Sequence, residues 1–192
     1  MGNLRVESTC SQPRSLMSNR PKTRLINGFV SAFIVAFFFA HGTLGSALLT
    51  VGIRSSFAYL VWFGVALVFV HVAMSVVTSY QQLTDKVDPP SIRKKRHLAL
   101  KWITGVVLLA FICIHVGCLR MFGLASTQSM ATGALVIILL AIALAAHICV
   151  GAKSLLKDIG ASRRYRTLVR IVACAFAVLF SLAAIAWVLG TA

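Results

Sequence analysis

The run MATGALVIILLAIALAAHICVGA, Met130 to Ala152, is apolar throughout apart from a few small polar residues and one ionisable side chain, His147. A helix that crosses the hydrocarbon core of a bilayer needs about 20 mostly apolar residues. The run therefore predicts a spanning helix with a histidine inside it. Four further runs read the same way, over about 25–52, 57–80, 102–124 and 168–189. Of the 192 residues, 59% are hydrophobic and 12% charged, about half the charged share of a soluble domain. The expected fold is an all-α integral membrane protein of five transmembrane helices, with a basic segment over 1–24 and a membrane domain over 25–192. The apolar run after residue 24 is too long for the core of a signal peptide, so an uncleaved first helix is expected.

The net charge of +15 would point to nucleic acid in a soluble protein, but its placement points elsewhere. Arg5, Arg14, Arg20, Lys22 and Arg24 precede the first span. Lys86, Arg93, Lys94, Lys95, Arg96 and Lys101 follow the second, and Lys153, Lys157, Arg163, Arg164, Arg166 and Arg170 follow the fourth. Only Arg54 and Arg120 are left for the other side. Basic residues concentrate on the cytoplasmic side of membrane proteins, so the N-terminus is expected inside and the C-terminus outside a cell membrane. Membrane lipid and acidic protein surfaces are the natural counterparts of these loops, not nucleic acid. The Pro89-Pro90 pair breaks the longest connection. Cys10, Cys113, Cys118, Cys149 and Cys174 have no paired spacing and read as small apolar fillers.

Four of the five histidines, His41, His71, His115 and His147, fall one on each of the first four spans. An ionisable group in hydrocarbon is costly and marks function by default. At about 1.5 Å per residue, His41 and His115 lie about 20 to 24 Å from the inner boundary. His71 and His147, counted from the outer ends of their spans, lie nearer the inside. Two pairs at two depths, each drawn from parallel helices, match two bis-histidine b-type haems stacked across a membrane. The first four spans would then form a haem-binding bundle. Gly45, Ser75 and Gly151, each four residues after a histidine and so on its helix face, would leave room for a macrocycle; Leu119 breaks the pattern after His115. A hydroxyl such as Ser75, or a backbone carbonyl, would orient the second ring nitrogen. A zinc site would gather its ligands at one depth with carboxylates, and none of Glu7, Asp85, Asp88 and Asp158 falls in a span. The competing reading is a haem-free small transporter or structural protein whose histidines pack or bind protons.

The stretches FFFAHGTLGSALL, LVFVHVAMSVVTSYQQ, FICIHVGCL and AAHICVGAKSLLKDIG, in that order, resemble the di-haem cytochrome b membrane subunit of succinate:quinone oxidoreductases and quinol:fumarate reductases. The resemblance covers nearly the whole chain, through motifs that are each weak alone. It implies that His71 and His147 hold an inner haem and His41 and His115 an outer one. It also implies a quinone substrate and two cytoplasmic partners, an iron–sulfur subunit and a flavoprotein carrying FAD. The chain would be the membrane subunit of a quinone-linked oxidoreductase whose dicarboxylate chemistry occurs elsewhere; a di-haem anchor for another flavin reductase is the alternative. The Arg93–His97 and Arg163–Arg166 segments would be docking candidates, or would simply set topology. Arg54, Arg120 and Lys153 are candidates for haem propionates. Unlike some di-haem quinol reductases, the sequence carries no acid on the outer side, and the quinone site is left unassigned.

Overall fold

A computed structural model describes residues 22–51, 58–84, 91–121, 127–162 and 164–190, without the side chains of 49, 50, 58, 118–121 and 127–130. Five α-helices occur among the described residues: α1 (Lys22–Val51), α2 (Ala58–Leu83), α3 (Ile92–Met121), α4 (Thr127–Asp158) and α5 (Tyr165–Gly190). Each is long and apolar enough to cross a membrane. Large apolar side chains stand exposed along them, among them Phe29, Phe69, Val106, Leu135 and Ile171. Water would penalise so large a continuous apolar surface. It is the architecture of a multi-pass membrane protein.

The helices overrun the apolar segments at the basic end. α3 starts ten residues before Trp102, because Ser91 caps it directly after the two prolines. The backbone N–H of Lys94 donates to Ser91 Oγ at 3.3 Å, and that of Lys95 to the Ser91 carbonyl at 3.0 Å, which satisfies amides that a helix start otherwise leaves without partners. The basic cluster Arg93–His97, read as loop from the sequence, is therefore helical and exposed. α4 continues to Asp158 and stops at Gly160, whose φ of 77° favours a residue without a Cβ. Ala161 N–H reaches the Leu156 carbonyl at 2.8 Å and Gly160 N–H the Lys157 carbonyl at 3.3 Å, the paired bonds of a Schellman ending.

The closely packed helix pairs are α4–α5, α3–α4, α1–α2, α1–α5 and α1–α4. Small residues let the backbones approach, as is common between membrane helices: Ala145 and Ala173 are buried with Ile148 between α4 and α5, and Val35 and Phe39 of α1 pack onto them. Phe39 stacks on Phe176 of α5 at 4.2 Å, and Gly42 lies flat against the ring of Phe180. Near the basic end, Arg170 of α5 donates from its guanidinium to the Cys149 carbonyl of α4, at 3.2 and 3.3 Å. α5 thus buttresses α1 and α4. α1 to α4 surround a cavity, and the diagonals α1–α3 and α2–α4 are absent from the closely packed pairs.

Candidate functional site: an intramembrane histidine pair

The cavity has a volume of about 210 Å³ and is lined from all four helices, with Ile34, Val72, Leu108 and Leu144 among its apolar walls and His71 and His147 facing into it. The two imidazoles lie across one diagonal with ring centroids 6.4 Å apart and planes at 86°. His41 of α1 and His115 of α3 stand on the other two helices around the cavity. The helices thus bring His71 and His147 together.

The levels of the histidines follow from contacts and chain intervals. On α1, Ser31 meets His71 and His41 lies ten residues further on. On α3, Thr104 meets His147 and His115 lies eleven residues further on. Helical rise turns these intervals into about 15 and 16 Å. Two independent helices give the same separation.

The hydroxyls that touch the rings also decide where the ring protons sit. Ser31 Oγ donates to the Asn27 carbonyl at 2.7 Å and lies 3.3 Å from His71 Nδ1. Thr104 Oγ1 donates to the Leu100 or Lys101 carbonyl at 3.0 or 3.1 Å and lies 3.1 Å from His147 Nδ1. A hydroxyl has one proton to give and lone pairs to accept with. With that proton on its own helix carbonyl, each hydroxyl can accept from the imidazole, which favours the ring hydrogen on Nδ1. Nε2 is then left with its lone pair, the tautomer a metal-ligating histidine requires. Gly105 completes the seat of His147: a Cβ there would stand 3.3 Å from Cε1 and 3.7 Å from Nδ1, tight enough to displace the ring.

A first-row metal binds an imidazole nitrogen at about 2.0 Å, and the ring centroid sits about 1.1 Å further back, so two imidazoles on opposite sides of one ion have centroids about 6.2 Å apart. The observed 6.4 Å matches that spacing. Among the described residues no group of three or more His, Cys, Asp or Glu could hold a metal ion. A metal between these rings would need its remaining ligands from something other than side chains. The four nitrogens of a porphyrin are such a set.

One turn nearer the basic end, the cavity is polar. Lys101 and Ser154 line it with Asn27 and Asp158. The Lys101 ammonium donates to Ser154 Oγ at 2.8 Å, and Ser154 donates to the Gly151 carbonyl at 2.9 Å. Asn27 Oδ1 is buried without a hydrogen-bond partner; because an amide can turn over, Asn27 can offer a bound group either donor or acceptor. Trp102 Nε1 donates to Ser79 Oγ at 3.1 Å beside this mouth.

Of the other residues singled out from sequence, Ser75 and Gly151 line the cavity, and a Cβ at Gly151 or Gly45 would meet open space. The hydroxyl on His71 comes from Ser31, not from Ser75. Lys153 is exposed and does not line the cavity; Lys101 does. Arg54 and the Arg120 side chain lie outside the described residues. On α1 the Phe37 ring stacks parallel to His41 at 5.9 Å. Ser31, Thr104, Gly105 and Lys101 had no sequence signal of their own, since each acts on a residue of another helix. Hydroxyls at the depth of a histidine on a neighbouring span were the available clue.

Fold and site together define a class: a multi-pass helical membrane protein with a histidine pair, His71 and His147, facing a cavity within its bundle. The chain matches no family model, no curated protein and no solved structure.

Proposed function

We propose that the chain is a di-haem b membrane subunit that carries electrons between a membrane quinone and cytoplasmic iron–sulfur and FAD-containing subunits, as in a succinate dehydrogenase or fumarate reductase. The observation that carries this reading is the His71–His147 couple: metal-compatible spacing, both Nδ1 atoms engaged by hydroxyls, and a cavity between the helices. In this reading His71 and His147 hold the inner haem, and His41 and His115 the outer one. When bound, a haem held by two histidines would supply one-electron transfer.

The chain's own groups have distinct parts. Ser31 and Thr104 hold the imidazoles in the ligating tautomer, and Gly105 keeps space for the His147 ring. Lys101 supplies positive charge at the mouth, where porphyrin propionates would lie, with Asn27 and Trp102 beside it; a partly buried ammonium is a strong partner for a carboxylate. The apolar walls exclude water from the metal. By the positive-inside rule the basic end faces the cytoplasm, where helical Arg93–His97 offers charge to an acidic partner surface. Succinate and fumarate enter through the resemblance of the four histidine stretches alone.

The test is a reduced-minus-oxidised visible spectrum of the purified chain with extracted haem assayed. Sharp b-type bands are the expected result. A colourless protein produced in a haem-replete host would leave a transporter or structural protein as the reading.

A further inference from the structure

Among the described residues α2 and α3 each belong to only one closely packed helix pair, α2 with α1 and α3 with α4, and the α1–α2 contact is the less extensive of the two. The hold of α2 on α1 is concentrated: Gly64 lies against the Phe37 ring, Phe63 meets Phe33 and Phe37 edge-on, and Thr23 donates to Gln81 at 2.9 Å. Toward α3 the packing is open, yet Val68 and Val72 of α2 and Val106 and Leu109 of α3 line the same cavity. The Trp102–Ser79 bond ties the two helices at the basic end. The walls α1–α2, α1–α4 and α3–α4 are closed by packed helices, so a planar molecule entering from the bilayer would have to separate packed helices everywhere except between α2 and α3.

We propose that the α2–α3 seam is the lateral gate through which the tetrapyrrole enters from the membrane, with α2 as the moving wall hinged on α1. This rests on the haem reading of the cavity. Ligation through His71 and His147 then fastens α2 to α4 across a diagonal that has no helix packing of its own. Before loading, α2 and α3 each have one packed neighbour and α2 the less extensive contact with it; afterwards α2 is tied at mid-length. A binding step that couples loosely packed segments raises the free energy of local opening.

The test uses the full chain, produced in a haem-deficient host and placed in lipid nanodiscs, with hemin as the probe. Hydrogen exchange across Ala58–Leu83 is expected to slow by about tenfold or more on hemin addition, while α5 changes little. In a variant with Cys10, Cys113, Cys118, Cys149 and Cys174 changed to Ser, a bismaleimide bridge between Val72→Cys and Val106→Cys should block hemin uptake when made first. Made after loading, it should stop apomyoglobin from extracting the haem. If the unsubstituted chain binds no hemin, the haem reading fails and the gate with it. If hemin binds but α2 exchange is unchanged, or the bridged protein loads as fast as the unbridged, the gate alone is overturned.

Discussion

Replacing Thr104 by Val removes one oxygen, keeps the branched shape, and takes from His147 Nδ1 its hydroxyl partner at 3.1 Å. A buried donor left without a partner costs about 1–3 kcal/mol, and at 1.4 kcal/mol per decade this corresponds to about a 5- to 140-fold loss in affinity. Loss of an outer-shell partner of a metal-bound histidine falls in the same range, about 10- to 100-fold. Ser31→Ala acts on the longer 3.3 Å contact to His71 and should cost less. The assay is a hemin titration of the haem-free chain in nanodiscs, followed by the midpoint potential of whatever haem binds. Thr43→Val is the control: Thr43 Oγ1 also donates to a carbonyl of its own helix, that of Phe39 at 2.8 Å, but is exposed. If Thr104→Val matches this control in both affinity and potential, the tautomer argument is wrong.

Three other substitutions probe separate parts of the account. Gly105→Ala places a methyl 3.3 Å from the His147 ring and should lower occupancy of one haem while helix content by circular dichroism stays unchanged. Lys101→Met should weaken hemin binding and Lys153→Met should not, because only Lys101 lines the cavity; equal effects would put the decisive charge elsewhere. Gly42→Leu drives a side chain into Phe180 and, as overpacking of a close contact, should destabilise the α1–α5 interface by about 1–3 kcal/mol, read as a lower melting temperature whether or not haem is present.

The five helices were legible because lipid imposes a length and a composition that no loop imitates. The nearness of His71 and His147 agrees with depths counted along their spans, since helical rise is fixed and each span starts near a boundary. The start of α3 was not legible: Pro89-Pro90 and a run of cations read as loop, and Ser91 capping overrides that reading within one residue. The partners of the histidine rings were also hidden. Ser75 was inferred because i+4 shares a face, but in the bundle the hydroxyl meeting His71 arrives from α1. Same-face spacing finds neighbours along a helix; contacts across a bundle depend on rotation about each axis, which composition does not fix.

The central claim concerns which rings share one metal, and haem stoichiometry in paired substitutions measures it. The account predicts two haems per purified wild-type chain. His71→Ala and His147→Ala, alone or together, should each leave one, because the second change removes a ligand from a haem already lost. His71→Ala combined with His41→Ala should leave none. Stoichiometries that fall further in the His71→Ala, His147→Ala double variant than in either single variant would contradict the pairing, and a wild-type chain that binds no haem would contradict the whole account.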